Sequence, residues 1–110
     1  MDLVNTLMHE TEKLDKAISR LSSTGRELAE YERDYKVKLR QEALKLRAEK
    51  GMPVTLIAKV IYGVPDVANL RLKRDIAETM HKTALEYINT LKLKIRILEA
   101  QVQREWGRNG

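Results

Sequence analysis

The chain has 110 residues, of which 34% are charged, 5% are aromatic and none is phenylalanine or cysteine. This length allows one small domain, and the composition suits a helical bundle better than a thick globular core. The absence of cysteine excludes disulfides and thiolate zinc sites, and it favours an intracellular protein. No apolar run approaches the ~20 residues of a membrane span, and the first residues lack the layout of a signal peptide. We therefore expect a cytoplasmic protein without membrane contact.

The net charge of +5 is unevenly distributed. Residues 1–34 contain eight acidic and five basic side chains, whereas residues 35–110 contain eight acidic and sixteen basic ones. The two parts therefore carry net charges of −3 and +8. A basic excess of this kind points to a polyanionic partner.

The first predicted helix covers residues 2–22. Its leucines recur every seven residues, with Ile18 between them, and the same phase continues into the next segment: Leu7, Leu14, Leu21, Leu28 and Tyr35. The positions equivalent to Ile18 in the other heptads are irregular, since they hold Thr11, Gly25 and Glu32. The pattern favours a packed helix with an irregular seam over a regular leucine zipper.

Two patterns conflict at residues 22–25. Thr24 followed by Glu27 matches a capping box, and Gly25 costs about 1 kcal/mol inside a helix, so both favour a new helix start. The leucine phase runs through the same residues and favours continuity. We predict a break here, with the second helix covering residues 26–50.

Gly51 is expected to end the second helix, and a short helix is predicted over residues 54–62. Gly63-Val64-Pro65 then turns the chain, with Asp66 as the N-cap of a last helix over residues 66–106. Because the connection between the long helices is short, we expect them to lie antiparallel.

The last helix contains one long apolar stripe within a sector about 100° wide. Its members are Ala77, Met80, Ala84, Tyr87, Ile88, Leu91, Ile95, Leu98, Val102 and Trp106. A helix of this length, roughly 60 Å, has to pack against another long helix. We therefore predict a single all-α domain over residues 1–110, an elongated antiparallel hairpin resembling a coiled coil, with the short helix at its end.

A second, smaller apolar patch lies nearly opposite this stripe and consists of Leu93, Ile97 and Ala100. A helix that is apolar on two faces needs two partners. We predict that this patch forms the interface of a homodimer.

Catalytic motifs are weak in this chain. Glu78 and His81 have the ExxH spacing of di-metal helical bundles, but His9 is the only other histidine and has no such partner. There is no glycine-rich phosphate loop and no nucleophile motif. We predict a protein that is not an enzyme and that uses no metal or cofactor.

Basic side chains provide the better candidate site. Arg33, Lys36, Arg40 and Arg47 fall within about 60° of one another on the second helix and form a row about 20 Å long. Such a row can meet several phosphates of a nucleic acid. Basic residues of the last helix are predicted to extend it: Arg71, Lys73, Arg74, Lys92 and Arg96.

Three runs of sequence, at residues 26–35, 46–57 and 91–101, the last followed by Arg104-Glu105-Trp106, resemble a family of small uncharacterised proteins from phages and prophages of Gram-positive bacteria. The resemblance covers about residues 20–107. It implies a phage origin and a place among genes of phage DNA replication and recombination, and it supplies no catalytic residues. The function expected is sequence-indifferent nucleic-acid contact in DNA metabolism. The alternative is a module that binds and modulates a host or phage enzyme without nucleic acid.

Overall fold

A computed structural model describes residues 2–109 of the chain, with the side chains of residues 2–107. The described residues form α1 (Leu3–Lys50), α2 (Val54–Val60), a 3-10 turn (Ile61–Gly63) and α3 (Pro65–Asn109), and no strand occurs among them. The prediction of an all-α hairpin with a short helix at its end is confirmed. None of the described helices is long and apolar enough to cross a membrane.

Helix α1 is continuous through residues 22–25, so the predicted break there is wrong. A capping box would need the Thr24 hydroxyl to accept a bond from the following turn. Instead, Thr24 Oγ1 donates to the carbonyl oxygen of Leu21 at 3.0 Å, within the helix. Thr24 is also buried, and the packing of this position outweighs the cost of about 1 kcal/mol for Gly25 in a helix.

The end of α1 agrees with the prediction. Gly51 has a φ of +58°, which is the left-handed conformation that favours glycine after a helix. The Met52 amide then donates to the carbonyl oxygen of Leu46 at 3.2 Å and satisfies one of the last carbonyls of the helix. Arg47 Nη1 donates to the Met52 carbonyl at 3.0 Å, so the side chain of the last turn also fixes the reversal.

Helix α3 begins one residue earlier than predicted and ends later, at Asn109. The Ala68 amide donates to the carbonyl oxygen of Val64 at 2.9 Å, so Val64 holds the cap position and Pro65 the first helical position, where no amide hydrogen is needed. The prediction of Asp66 as N-cap is therefore wrong. Its carboxylate lies in the first turn, 3.5 Å from Nζ of Lys38.

The chain divides into two compact units. The first consists of the described residues up to Thr24 together with those from His81 onward, and the second consists of residues 25–80. Helices α1 and α3 each contribute to both units, so the assignment of residues 1–110 to a single domain stays a prediction. Met1 and Gly110, which end that domain, lie outside the described residues.

The buried face of α1 follows a regular heptad. Near the end of the helix this face widens to include Leu39, Ala43 and Leu46, which pack against the core of the second unit. The regular part runs in steps of four and three residues: Leu3, Leu7, Glu10, Leu14, Ala17, Leu21, Thr24, Leu28, Tyr31, Tyr35, Lys38 and Glu42. With Leu7 at position a, these are the a and d positions of a coiled-coil seam. The predicted leucine phase is confirmed, but Ile18 is 49% exposed and does not belong to the seam.

The buried face of α3 is equally regular. Its a and d positions, beginning with Val67 at a, are Val67, Leu70, Arg74, Ala77, His81, Ala84, Ile88, Leu91, Ile95, Leu98 and Val102. Most of the predicted stripe lies here. Three of its members are exposed instead, namely Met80, Tyr87 and Trp106, because they stand outside the a and d positions.

In the first unit the core is formed by Ala17, Ile88 and Leu91, with Leu14 and Leu21 packed against it. In the second unit Tyr35, Ile57, Ile61 and Val67 form the core, and the neighbouring apolar residues are Leu39, Ala43, Leu46, Met52, Val64 and Leu70. Within each unit, earlier residues of α1 face later residues of α3. Two contacts establish this in the second unit, since Lys38 pairs with Asp66 and Glu32 pairs with Arg74. The predicted antiparallel arrangement is confirmed within each unit.

Candidate nucleic-acid interface

The outer face of α1 in the second unit contains a regular row of arginines. Counted from Leu7 at position a, the f positions between residues 26 and 47 are all exposed arginines: Arg26, Arg33, Arg40 and Arg47. The first three point away from the seam, whereas Arg47 lies at the edge of the buried face, which there includes Ala43 and Leu46. We call these four residues the arginine row. Neighbours in the row are seven residues apart, or about 10.5 Å along the helix.

The positions beside the row differ on its two sides. The b positions hold Ala29, Lys36, Ala43 and Lys50, of which Ala43 is half-buried and packs against the core of the second unit. At the c positions on the other side, Glu30 is an exposed acid between Arg26 and Arg33. Arg26 and Lys50 are absent from the predicted site, although both are exposed on the same face. The seven-residue spacing of the arginines is visible in the sequence, but only the position of the seam shows which way these side chains face.

Two basic residues of this face form ion pairs with acids on its flanks. Arg33 Nη2 lies 3.0 Å from Oδ1 of Asp34, and Lys36 Nζ lies 3.3 Å from Oε1 of Glu32. The Arg33 and Lys36 side chains are 67% and 70% exposed. Exposed pairs of this kind are weak and salt-screened, so a phosphate can replace the carboxylate.

Arg40 and Arg47 are less constrained. Arg47 donates to a backbone carbonyl, which leaves its positive charge uncompensated. Arg40 is exposed and forms no ion pair within the part of the chain that the structure describes. The arginine row therefore keeps most of its charge available to a partner.

Arg74 is placed differently from the other predicted basic residues, because it occupies an a position of the α3 seam. Its Nη2 lies 2.8 Å from Oδ1 of Asp75, its Nη1 lies 3.5 Å from Oε2 of Glu32, and its guanidinium lies 4.7 Å from the centre of the Tyr35 ring. The hydrogen bond to Asp75 raises the pKa of Arg74 above its ordinary value. Arg74 is thus an internal cation of the second unit and a poor phosphate ligand.

The other predicted residues of α3 lie apart from the arginine row. Arg71 stacks over the ring of Tyr62 at 5.1 Å, and Lys73 is exposed, both in the second unit. Lys92 and Arg96 belong to the first unit and are exposed on α3. None of Lys73, Lys92 and Arg96 forms an ion pair among the described residues, so each keeps a free charge.

The residues predicted for the homodimer interface occupy outer positions of α3. Leu93 is 56% exposed, Ile97 is 51% exposed and Ala100 is exposed. Leu93 and Ala100 stand at f positions, and Ile97 at a c position. The patch is thus open to a partner and is separate from the seam.

The seams also contain polar groups. In the first unit, Thr24 Oγ1 and His81 Nδ1 lie 2.9 Å apart. In the second unit, Lys38 Nζ lies 3.1 Å from Oε1 of Glu42, and this hydrogen bond raises the pKa of Lys38. Among the described residues, no three His, Cys, Asp or Glu side chains are grouped so that they could hold a metal ion. Both contacts join side chains at a and d positions of the seams.

Comparison with known proteins gave no further assignment. No protein-family model, no curated protein and no solved structure matches the chain.

Proposed function

We propose that this chain is a phage-encoded, non-enzymatic protein of DNA metabolism that contacts nucleic acid through the arginine row without reading its sequence. The observation that carries the proposal is an arginine at every f position from Arg26 to Arg47, with no acid at the f and b positions of this stretch. A solvated helix face ordinarily mixes both signs of charge, whereas the f and b positions here hold six basic residues and two alanines, and the adjoining c positions add one acid, Glu30. The resemblance to phage proteins supports the setting in replication or recombination and a location in the host cytoplasm.

The chemistry expected of this face is electrostatic. Guanidinium groups form charge-assisted, bidentate hydrogen bonds with phosphate oxygens, and they displace the counterions condensed on the nucleic acid. Contacts to phosphates fix position and carry no base information. The protein should therefore act as an accessory factor that holds nucleic acid.

The test is the salt dependence of binding to a short nucleic acid of mixed sequence. For four to six phosphate contacts, the slope of log K against log salt should be about −3 to −5, at roughly 0.7–0.9 per phosphate. Changing Arg40 to Gln should reduce the magnitude of this slope by about one and weaken all sequences equally. Fluorescence anisotropy between ~50 and 200 mM salt measures both effects.

The matched control is Arg20→Gln, which removes the same charge from an exposed position of α1 in the first unit. This variant should bind as the parent does. Failure of the parent to bind at ~50 mM salt, where electrostatic association is strong, would refute the proposal.

The second candidate is a protein-interaction module that modulates a host or phage enzyme. The exposed patch of Leu93, Ile97 and Ala100 favours it, because contiguous exposed apolar side chains mark interaction sites. In a pull-down from infected cells, a partner that remains after nuclease treatment and is lost with Ile97→Gln would support this function. A partner lost on nuclease treatment would support nucleic-acid contact instead.

We further propose that the same patch forms the interface of a homodimer. A dimer that pairs through it carries two arginine rows, and both can bind one nucleic acid if it is long enough to reach them. The second binding event would then be intramolecular, which raises the overall affinity without any new contact.

A further inference from the structure

We propose that the ligand of the arginine row is the phosphate backbone of a double-stranded nucleic acid, in preference to a single strand. This inference rests on the proposed nucleic-acid function and adds the structural class of the ligand.

The first observation is the absence of a stacking platform beside the row. Proteins that hold single strands combine a positively charged groove with aromatic side chains on which successive bases stack. The second unit contains the aromatic residues Tyr31, Tyr35 and Tyr62. None of them stands at an f or b position of α1.

Each of these rings is also engaged elsewhere. Tyr35 is 6% exposed and lies under the guanidinium of Arg74, and Tyr31 occupies a half-buried seam position. Tyr62 lies in the 3-10 turn after α2, where Arg71 covers its ring. A base of a single strand therefore finds no free ring next to the arginines.

The second observation concerns the shape and spacing of the row. The f positions lie on the outer surface of a single continuous helix, and a row on one helix does not enclose a strand as a groove between two elements does. The row places one guanidinium about every 10.5 Å over about 32 Å. A flexible strand would have to become ordered along it without any stacking to offset the loss of freedom.

A duplex can bind this face without a comparable loss of conformational freedom. Its two strands together present one charge per ~1.7 Å of axis, against one per ~3.4 Å for each strand, and their positions are already fixed. The span of the row, about 32 Å, is close to one turn of B-form DNA, about 34 Å. A rigid row of cations can therefore reach phosphates on both sides of a groove.

The test compares ligands of the same sequence on the full-length protein. The probes are a fluorescent 20-base-pair DNA duplex, the RNA duplex of the same sequence, one of the DNA strands alone and an unstructured 20-nucleotide oligo-dT, all at about 50 mM salt. At this salt electrostatic binding is strong. We expect at least one duplex to bind about 10-fold more tightly than either single strand, as the higher charge density of the duplex favours.

The outcomes distinguish a failure of the duplex preference from a failure of the proposed nucleic-acid function. Single strands bound as tightly as the duplexes would overturn the inference while leaving the proposed function intact. No binding of any probe would overturn both. Binding of both duplexes identifies the shared phosphate chemistry as the ligand, and binding of the DNA duplex alone assigns the row to DNA.

Two quadruple variants that remove the same charge show whether duplex binding depends on the arginine row or on the net charge of the protein. The first changes the arginine row, Arg26, Arg33, Arg40 and Arg47, to Gln. The second changes four exposed basic residues outside it to Gln: Lys16, Arg20, Lys45 and Lys59. The duplex should be bound about 10-fold more weakly by the first variant than by the second, with both helical by circular dichroism, whereas equal losses would overturn the inference.

Discussion

At the scale of single residues, the most unusual group is the carboxylate of Glu10, which occupies a d position of the α1 seam. The residue is 8% exposed, and its Oε1 pairs with Nζ of Lys13 at 3.1 Å. Its second oxygen, Oε2, is buried and makes no hydrogen bond within the described chain. A buried polar atom without a partner is a net cost to the folded state, because water would have satisfied it in the unfolded chain.

Replacing Glu10 with leucine should therefore stabilise the protein. Leucine fills a similar volume and continues the apolar seam, and the lost ion pair to a partly exposed lysine is worth little. We expect a gain of about 1–2 kcal/mol in the free energy of unfolding. This corresponds to a rise in Tm of several degrees, since 1 kcal/mol shifts Tm by roughly 4–8 °C in a domain near this size.

Glu12→Leu is the control for this variant, because Glu12 is exposed and lies two residues away on the same helix. It should change the stability by no more than about 0.5 kcal/mol. A lower Tm for Glu10→Leu than for the parent would show that the carboxylate contributes to the fold.

At the scale of secondary-structure elements, the end of α1 depends on one backbone conformation. The φ of +58° at Gly51 is unfavourable for a residue with a Cβ atom, although nothing lies within 4 Å of the place that this atom would take. Any penalty for a larger residue therefore comes from the backbone alone.

Gly51→Ala should accordingly cost about 1–2 kcal/mol, the usual penalty for an L-residue in the left-handed region. Thermal or urea unfolding followed by circular dichroism measures this cost. Gly63→Ala is a matched control, because Gly63 has equal space around it and no positive φ. A Gly51→Ala variant as stable as Gly63→Ala would contradict the dependence of the end of α1 on the left-handed conformation at Gly51.

The end of α1 and its seam show which parts of the fold could be predicted from the sequence. The stop at Gly51 and the leucine phase were predictable, because glycine after a helix and apolar residues at one heptad position have a single ordinary interpretation. The second seam position was not, since Glu10, Thr24 and Lys38 are polar and hydrophobicity pointed to Ile18 instead. Polar side chains at these positions are accommodated by partners on α3 or on the same helix, which a sequence pattern does not display.

The candidate site was predictable to a similar extent. Arg33, Lys36, Arg40 and Arg47 follow from their common face, but Arg26 was assigned to a helix start because a break was expected beside Gly25. Arg74 was counted as a surface cation. Its place in the seam follows from Tyr35 and Glu32, which are far from it in sequence.

At the scale of the whole molecule, apolar side chains outside the seams favour self-association. A chain that exposes Leu93 and Ile97 by about half leaves apolar surface that a second copy can bury. Self-association through α3 would remove this surface from water.

Light scattering at micromolar concentration should therefore give twice the chain mass of 12.7 kDa. Ile97→Gln should shift the equilibrium towards the monomer, because it introduces a polar group into the interface, and Lys94→Gln should leave it nearly unchanged. A mass of one chain for the parent protein would exclude the dimer.

The contact between Thr24 and His81 has a consequence for the tautomer of the imidazole. A threonine hydroxyl has one hydrogen, and that of Thr24 is donated to the Leu21 carbonyl. Thr24 Oγ1 must then accept from His81, so Nδ1 carries a hydrogen and the lone pair of the neutral ring lies on Nε2. Asparagine, whose amide nitrogen can take the place of Nδ1, is accordingly the conservative replacement at this position, and glutamine is not.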